Sequence, residues 1–469
     1  MSSGSVTPET SDAGAPAGEG AEVVHEPPVP ARARIDLLCD QGTFHPIRSE
    51  SGDGVICGSA RVGGRPVYVW AQNVKHKGGS LGQKGGDSIV STIEAANKAG
   101  APVVGFLHSG GARLQEGVAA LGAYASIFRA TSRAKVPQIS VICGVCAGGA
   151  AYSPSLGTLV MMVGEPAQMF LTGPRVIAKV TREVVTAADL GGPRVHRKNG
   201  ISHIEADDDA EAADIIRQVL SYFPGTIGGP LLSKEPVDPP AGDPSATVPT
   251  NQRKVYDVRD VARHMLDGGE FLELSRRYAK NMVVGFGHIE GHPIGVIANQ
   301  PRYLGGVLDA ASSDKGAWFV NMCDRFGIPL LVLSDTPGYR PGVRQEREAV
   351  LRRGAELLRA FSVAEVPRVT VTLRQAYGGA YIVMNCRDLG NDLTLAWPNA
   401  RIGVMGAPQA VEIVKRRELE AGADPDELAA AYEEEHLPVA IAAAAGYIDE
   451  IVTPVKTRER IAAHFEARR

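Results

Sequence analysis

The sequence predicts an α/β protein built from two similar halves. Runs rich in β-branched and other apolar residues, typical of buried strands, alternate with segments whose apolar residues recur at helical spacing. The chain also resembles itself: similar stretches begin at Gly64 and Gly291, 227 positions apart. A proline-rich stretch without apolar periodicity, 236–252, separates the two copies. These observations favour layered α/β units repeated in tandem.

Glycines and prolines recur at matching positions in the two halves. Residues 64–67 (GRPV) fall on 291–294 (GHPI). Further along, 136–150 (VPQISVICGVCAGGA) lies over 366–380 (VPRVTVTLRQAYGGA). Since few gaps are needed, we interpret the halves as an internal duplication rather than two unrelated domains.

The duplication predicts the domain organisation. Residues 1–30, rich in Pro, Gly, Ala, Ser and Glu, are predicted to form a disordered arm. The predicted N-terminal domain is 31–235, the linker is 236–252 and the C-terminal domain is 253–469.

Within each half the elements follow one order. Strands alternate with helices, and the last strand runs into a glycine turn and the start of a helix. The predicted segments of the first half are 66–72, 87–100 (a helix ending at a glycine), 102–111, 121–134 and 137–152. Those of the second half are 293–300, 329–338, 347–364 and 367–384.

Bulk properties exclude several functions. The chain has 469 residues, 44% of them hydrophobic, and a net charge of -4. Nothing in this balance points to nucleic acid or an anionic membrane surface. No apolar run reaches the roughly 18 residues of a membrane span, and the N-terminus lacks the pattern of a secretory signal. Six cysteines in so long a chain do not form a disulfide framework, so we predict a cytoplasmic protein.

Cys143 and Cys146 form a Cys-x-x-Cys pattern that raises the question of metal or redox chemistry. A zinc site usually needs a second pair of ligands, and the other four cysteines are scattered. A redox pair usually opens a helix after a strand, whereas Cys143 is the last apolar residue of a predicted strand. We interpret both as core residues and predict no metal.

The glycine pairs beside this pattern are better candidates. Gly148-Gly149 and Gly378-Gly379 occupy equivalent places in the two halves, each behind a buried strand. If a helix follows, its free N–H groups and dipole favour a negative charge, as in an oxyanion hole. The alternative is a tight strand–helix turn with close packing. Each half has a second glycine turn, at 108–117 and 335–342, which favours two matched anion-stabilising sites.

Familiar catalytic motifs are missing from the sequence. There is no Walker A motif and no His-Glu-x-x-His. No Glu or His obviously accompanies either glycine pair. A reaction served by two oxyanion holes, without a side-chain base, would fit this pattern.

Several ordered motifs then point to one family. The chain resembles the carboxyltransferase (β) subunit of biotin-dependent acyl-CoA carboxylases, the acetyl-/propionyl-CoA carboxylase type, from residue 31 nearly to its end. The motifs are SGGARLQEG (109–117), CAGGAAYSPSL (146–156), ANQPRYLGGVLD (298–309), DTPGYRPG (335–342), YGGAYIVMN (377–385) and VMGAPQAV (404–411).

The resemblance implies a fold, a reaction and an assembly. It implies two crotonase-like domains, each a spiral of ββα units, of the ClpP/crotonase superfamily. It implies transfer of CO₂ from carboxybiotin to the α-carbon of a short-chain acyl-CoA. The biotin would reside on the carrier domain of an α subunit that also holds biotin carboxylase. The implied assembly is a homohexamer, with each active site between the N-domain of one protomer and the C-domain of another.

The resemblance also implies roles for individual residues. The N–H groups of Gly148 and Gly149 would hold the enolate oxygen of the acyl-CoA, and the CoA thioester would also contact Gly110, Gly111, Ala112 and Arg113.

In the second half, Gly378, Gly379 and Ala380 would bind carboxybiotin, and the N–H groups of Gly379 and Ala380 would hold its ureido oxygen. The released biotin could take the α-proton, so no side-chain base is required. Ile382 would lie near the acyl tail, where an apolar side chain suits a short acyl group but cannot fix the substrate.

One segment departs from the family pattern. Where the family reads close to TDQEYGGIIRHGAK, this chain has VRQEREAVLRRGAE at 343–356, so that Glu348 and Ala349 replace a glycine pair. Arg340, Arg344 and Arg347 are added beside the DTPG turn. The segment is either a stiffer, charged surface helix or an altered substrate or partner contact that favours an anionic acyl group.

Other functions stay open on the sequence alone. A related decarboxylase acting on a malonyl-type CoA thioester would use the same two holes. A non-catalytic structural subunit of a carboxylase complex is disfavoured by the intact glycine pairs. A crotonase-type hydratase or isomerase is disfavoured because no acid/base carboxylate stands beside either pair.

Overall fold

The computed structural model describes residues 29–48, 53–252 and 254–468. The predicted arm at 1–30 lies outside the described residues, except for its last two positions. No helix in these ranges is long and apolar enough to cross a membrane.

Two eight-stranded sheets organise the described chain. The strands of the first sheet are β1 (His45–Pro46), β2 (Val55–Val62), β3 (Arg65–Gln72), β4 (Val103–Ser109), β5 (Gln138–Ala147), β6 (Leu159–Val163), β7 (Gln168–Phe170) and β8 (Ile204–Ala206). Those of the second are β9 (Leu272–Leu274), β10 (Met282–Ile289), β11 (His292–Asn299), β12 (Leu330–Thr336), β13 (Arg368–Tyr377), β14 (Leu393–Ala396), β15 (Arg401–Gly403) and β16 (Glu450–Ile451).

Helices cover and connect these sheets. Those of the first half are α1 (Ala31–Leu38), α2 (Gln83–Ala99), α3 (Val118–Arg133), α4 (Tyr152–Leu156), α5 (Pro174–Val180), α6 (Ala187–Gly191), α7 (Pro193–Asn199) and α8 (Asp209–Tyr222). Those of the second half are α9 (Val258–Met265), α10 (Ala310–Arg325), α11 (Val343–Arg347), α12 (Val350–Val363), α13 (Gly378–Val383), α14 (Ala407–Val414), α15 (Arg416–Glu420), α16 (Pro425–His436), α17 (Val439–Ala444) and α18 (Thr457–Glu466).

The sheet topology confirms the predicted duplication. The first sheet has the order β1-β2-β3-β4-β5-β6-β8 with β7 beside β5, and the second repeats it as β9-β10-β11-β12-β13-β14-β16 with β15 beside β13. In both, the first three strands pair antiparallel, and the strands that follow pair parallel and are joined by helical crossovers. The predicted α/β class is therefore confirmed.

Hydrogen bonds repeat with the same offset. The Asp40 carboxylate accepts from the backbone N–H groups of Gly63 and Gly64 at 2.9 and 2.7 Å. Its counterpart Asp267 accepts from Glu290 and Gly291 at 3.0 and 2.7 Å. This carboxylate holds the hairpin turn between β2 and β3 in the first half and between β10 and β11 in the second. The repeat therefore extends to side-chain interactions.

The halves share a hydrophobic core. Tyr222, at the end of α8, stacks on Phe286 of β10 with ring centroids 5.1 Å apart. The next residue, Phe223, meets Phe326 edge to ring at 5.1 Å. Helix α8 therefore carries aromatic side chains of the first half into the second. The domain boundaries at 235 and 252 stay a prediction.

The predicted helix at 347–364 is interrupted near its start. Helix α11 ends at Arg347 and α12 begins at Val350. Between them Ala349 has φ 59°, in the left-handed region. The stiffer, charged surface helix considered for 343–356 is therefore two helices, because a left-handed residue cannot continue an α-helix.

Candidate active site

Both glycine pairs form the same turn. The first glycine of each pair, Gly148 or Gly378, follows a buried strand and has a φ of 60° or 58°. A glycine is required there because an L side chain in this region costs about 1–2 kcal/mol. A helical turn begins at once, as a 3₁₀ segment Gly148–Ala151 before α4 and as α13 in the second half. The predicted strand, glycine turn and helix start are confirmed in both halves.

The turns sit beyond matching irregularities in the strands. Between β4 and β5 the register shifts, so that Leu107 pairs with Ile142 but Ser109 pairs with Cys146. One residue of β4 thus faces three residues of β5, and the same shift occurs between β12 and β13. Such bulges bend a strand and re-aim its end. Both glycine pairs are therefore presented by the same local distortion.

Each pair lies beside the second glycine turn of its half. Leu81 donates its N–H to the carbonyl of Gly111 at 2.9 Å and accepts from the N–H of Arg113 at 2.9 Å. The counterpart bonds join Leu308 to Gly338 at 3.0 Å and to Arg340 at 2.7 Å. A methyl group at Gly111 would lie 3.0 Å from the carbonyl oxygen of Ala147, next to Gly148. The fold thus brings together the two turns that the sequence singled out.

The 110–113 turn is largely engaged within the chain. The N–H of Gly110 donates to the carbonyl of Gly78 at 3.2 Å, and that of Gly111 to the Ser109 hydroxyl at 3.2 Å. Ala112 forms an isolated bridge with Leu81. The acyl-CoA contacts assigned to this turn stay a prediction.

The side chain of Arg113 anchors the 110–113 turn to neighbouring segments of the chain. Its buried guanidinium bonds Asp53 at 2.6 Å, Glu116 at 2.7 Å and the carbonyl of Ser80 at 2.8 Å. With both Nη atoms donating to these acceptors, the side chain favours a structural role. A contact of Arg113 with acyl-CoA remains a prediction that rests on the resemblance.

The surroundings of the two pairs differ. A Cβ atom at Gly149 would lie 2.9 Å from the ring of Tyr124, whereas a Cβ atom at Gly379 would meet nothing within 4 Å. The space beside Gly379 belongs to a cleft of about 670 Å³. Ala380 is buried beneath the second turn.

Apolar side chains dominate the cleft beside Gly379. Ile382, Val404, Ile441 and Tyr447 all line it, and each side chain is exposed. Asp388 and His436 are among its polar residues. Exposed apolar groups around a cavity of this size are typical of a small-molecule site.

Cys143 and Cys146 are buried free thiols inside β5. Burial raises the pKa of both thiols, and the Cys146 Sγ donates to the carbonyl of Ala150 at 3.1 Å. A thiol with a raised pKa is a poor nucleophile and a poor metal ligand. Both side chains therefore act as packing residues in the strand.

A buried ion pair near the second glycine pair was not predicted from the sequence. Asp335, at the end of β12, is fully buried, and its Oδ2 lies 3.1 Å from Arg374 Nε. The hydroxyl of Tyr256 donates to the same oxygen at 2.8 Å. Burial raises the pKa of Asp335 to about 6, against the opposing effect of Arg374. The available signal was two opposite charges within otherwise apolar strand segments.

The added arginines lie on the surface. Arg344, on α11, is 80% exposed and bonds Glu348 at 2.6 Å. Arg340 and Arg347 are exposed beside the same turn. The segment thus presents positive charge to solvent next to the DTPG turn.

Residues 29–469 match the carboxyl transferase domain family. A protein of Haloferax mediterranei described as "Propionyl-CoA carboxylase, carboxyltransferase subunit" is 45% identical over 458 residues, which cover 92% of this chain and 89% of that protein. The methylmalonyl-CoA carboxyltransferase 12S subunit of Propionibacterium freudenreichii subsp. shermanii is 43% identical over 423 residues, covering 88% and 80%.

Solved structures agree with these relatives. The transcarboxylase 12S crystal structure, described as a hexamer assembly with methylmalonyl-coenzyme A and methylmalonic acid bound, superposes with a TM-score of 0.90 at 40% identity over 93% of this chain and 89% of that one. A single-chain, multi-domain long-chain acyl-CoA carboxylase superposes with a TM-score of 0.81 at 28% identity over 93% of this chain and 46% of that one. The predicted pair of crotonase-like domains is confirmed.

Proposed function

The chain belongs to the carboxyl transferase domain family and is a biotin-dependent carboxyltransferase, and from this premise we propose that its two glycine turns are the two oxyanion holes of carboxyl transfer to a short-chain acyl-CoA. One observation carries the proposal. Gly148 and Gly378, at equivalent strand ends, adopt the same left-handed conformation directly before a helical turn. Such turns leave N–H groups free for a developing oxygen anion.

The first turn is proposed to act on the acyl-CoA. Loss of the α-proton turns the thioester carbonyl into an enolate oxygen, which the N–H groups of Gly148 and Gly149 would stabilise. A well-placed donor contributes about 3 kcal/mol to the stability of such a transition state. Because the donors belong to the main chain, Tyr124 behind Gly149 becomes part of what fixes their direction.

The second turn fits an apolar ring that carries an oxygen acceptor. The open space beside Gly379 meets a cleft with apolar walls formed by Ile382, Val404 and Ile441. The N–H groups of Gly379 and Ala380, in the first turn of α13, have no acceptor within that helix. Carboxybiotin on a partner protein would supply the carboxyl group and then the base for the α-proton. The chain's own part is to bind its ureido oxygen and to hold it beside the acyl-CoA.

Ile382 is proposed to contact the acyl tail. It lies four residues after Gly378 on the first turns of α13 and lines the same cleft as Gly379. An apolar wall favours short apolar acyl groups over polar ones. It distinguishes one methylene by only about 1–3 kcal/mol, so several short acyl-CoAs remain possible substrates.

The same relatives support a proposal about the assembly. We propose a homohexamer in which the first-half turn of one protomer meets the second-half turn of another. The transcarboxylase 12S structure, described as a hexamer assembly, supports the hexamer. We also propose an α subunit with biotin carboxylase and biotin carrier domains as partner. Six free cysteines support a cytoplasmic location.

Reconstitution tests the function. The purified chain is mixed with biotin carboxylase and carrier subunits from the same source, and bicarbonate fixation is measured with a panel of acyl-CoAs. We expect fixation that needs both a short-chain acyl-CoA and the biotinylated partner, and that avidin abolishes. If no acyl-CoA is carboxylated with any such α subunit, the proposal fails.

A second arm separates the decarboxylase alternative. Malonyl-CoA and methylmalonyl-CoA are incubated with the chain alone, and released CO₂ is measured. Loss of CO₂ without biotin would favour decarboxylation. Carboxyl transfer that needs biotin in both directions would exclude decarboxylation as the main activity.

The Gly379→Val variant is the matched site control, because its side chain would fill the cleft beside the second hole.

A further inference from the structure

We infer that Asp335 and Arg374 are positioning residues, whose ion pair across the bulge of β13 fixes the direction of the N–H groups of Gly379 and Ala380. This inference rests on the proposed function. It adds a charged pair to a site that otherwise consists of main-chain donors and apolar walls.

The pair occupies the bulge itself. Ser334 pairs with Thr372 and Thr336 pairs with Ala376, so Asp335 alone faces three residues of β13, of which Arg374 is the middle one. The Nε and Oδ2 atoms lie 3.1 Å apart, and the two side chains are 5% and 0% exposed. The bulge directs β13 toward the glycine turn, and the ion pair holds that bulge closed against β12.

The pair is tied to a third part of the chain. Arg374 Nη1 donates to the carbonyls of Lys254 at 2.7 Å and Asn251 at 3.3 Å. The Tyr256 hydroxyl donates to Asp335, and the Arg374 guanidinium lies over the Tyr256 ring, 5.2 Å from its centre. The chain that enters the second half is therefore fastened to the same point as β12 and β13.

The first half has the same bulge without charges. His108 faces the three residues centred on Gly144, as Asp335 faces those centred on Arg374. Gly144 has no side chain, and its missing Cβ would lie 2.5 Å from the His108 ring. Burial lowers the pKa of His108, so this ring favours its neutral form. The duplicated fold thus does not itself require an ion pair, and only the second half carries one.

The chemistry of a buried ion pair explains what it adds. Two opposite charges inside a protein add little net stability over an apolar pair of equal volume. They do impose one geometry, since a displaced partner leaves a buried charge unpaired. Arg374 precedes Gly378 by four residues, and Asp335 begins the DTPG turn. Holding these two residues therefore fixes the turn at Gly378 and the DTPG turn relative to each other. A misplacement of about 1 Å at an active site can cost about 100-fold in rate.

Steady-state kinetics on the reconstituted enzyme test this role. Arg374→Lys keeps the charge but loses the planar fork, and Asp335→Asn keeps the volume but loses the charge. For each we expect a fall of at least about tenfold in kcat per folded enzyme. The KM for acyl-CoA should change by less than kcat does, because the thioester is proposed to bind the first-half turn and Ile382 of α13 to contact only the acyl tail. A merely structural pair would lower the folded fraction and leave kcat per folded enzyme unchanged.

Two further variants keep the test decisive. Arg458→Lys perturbs another Arg–Asp pair of the second half, in which a partly buried Arg458 lies 2.7 Å from the buried Asp267, and should leave kcat per folded enzyme unchanged. Tyr256→Phe removes one hydrogen bond to Asp335 and serves if the charge variants fail to fold. For this variant we expect a smaller fall in kcat, and a change in the KM for acyl-CoA that is smaller still.

Three outcomes would overturn the inference: wild-type kcat in Arg374→Lys and Asp335→Asn, wild-type kcat in Tyr256→Phe when those two do not fold, or an equal loss in Arg458→Lys. Failure of wild type itself to carboxylate any acyl-CoA would instead reject the proposed function.

Discussion

Gly149 lies directly against Tyr124, so that a Cβ atom added at Gly149 would be 2.9 Å from the tyrosine ring. Its counterpart Gly379 has open space on the same side, with nothing within 4 Å. The two glycine turns have the same backbone conformation but different neighbours. The first packs against the Tyr124 ring, and the second lines an open cleft. This difference leads to the first prediction.

Gly149→Ala is expected to destabilise the fold and the first hole together. Real Cβ atoms do not approach a ring to 2.9 Å, so either the turn or Tyr124 must shift, at a cost of about 1–3 kcal/mol. A shifted turn misdirects its N–H groups, and we expect a fall in carboxylation of about 100-fold. Gly379→Ala should leave the melting temperature unchanged and reduce activity only by narrowing the cleft. Melting temperature and initial rate of both variants decide between these outcomes, and equal melting temperatures would contradict the asymmetry.

Ala349→Gly is expected to stabilise the protein. Ala349 sits between α11 and α12 with φ 59°, where glycine carries no steric penalty. Relief of this strain should raise the free energy of unfolding by up to about 1 kcal/mol, after the entropy that glycine adds to the unfolded chain. Ala355→Gly, within α12, is the control and should lower it by about 1 kcal/mol. Urea unfolding measures both; a loss of stability in Ala349→Gly would contradict the prediction.

The two cysteines of β5 should be dispensable for the chemistry. Cys143 and Cys146 are buried, and burial raises the pKa of both thiols. We expect neither thiol to react with an alkylating reagent in the native protein at pH 8. We expect Cys143→Ala and Cys146→Ala to keep carboxylation within about threefold of wild type, with a stability loss of about 1 kcal/mol from the small cavity. Mass spectrometry reads the labelling, and loss of activity without loss of stability would revive a role for these thiols.

Asp335 should make stability depend on pH in an unusual direction. Burial raises its pKa to about 6 in the folded state, from 3.8, despite Arg374 and the hydrogen bonds of Tyr256 and Gln375. Between these values the folded protein binds the proton more tightly than the unfolded chain does. Its contribution of about 3 kcal/mol is therefore fully present below pH 4 and is lost as the pH rises through 6.

The Asp335→Asn variant isolates this contribution. Urea unfolding is measured at pH 4, 5, 6 and 7. The free energy of unfolding of wild type, relative to that of the variant, should fall as the pH rises from 4 to 6 and level off above pH 6. Carboxylation should show the opposite trend in wild type, falling below pH 6, because protonated Asp335 no longer pairs as a charge with Arg374. Parallel stability curves for the two proteins would show that Asp335 does not titrate there.

Arg344 tests the hypothesis of an anionic acyl group. It is 80% exposed beside the DTPG turn and pairs only locally with Glu348. If the segment contacts substrate, Arg344→Glu should lower kcat/KM about tenfold for acyl-CoAs with a terminal carboxylate and leave neutral short-chain acyl-CoAs unchanged. Arg416→Glu removes a similar exposed pair, with Glu420 at 2.9 Å on α15, and controls for surface charge. Unchanged kinetics of Arg344→Glu on every accepted acyl-CoA would end the hypothesis.

The sequence predicted the parts of this protein that rest on local pattern and repetition. Glycines at 148 and 378 predicted the two turns, because no other residue adopts a φ near 60° without strain. The offset between the halves predicted the duplicated sheets, since the same spacing of strands and helices folds into the same order. The interrupted helix at Ala349 was missed, because glycine is the usual signal for a left-handed residue and this chain lacks it there.

By itself, then, the sequence determined the class, the duplication, the family and the main-chain turns, all of which depend on neighbours along the chain. Only the tertiary structure decided what stands behind each turn. It placed Tyr124 against Gly149, left Gly379 open, engaged Arg113 within its own half, and joined Asp335 to Arg374 across a bulge. The physical reason is that these relationships are set by which side chains from distant strands fill the same small volume, and residue spacing does not specify that.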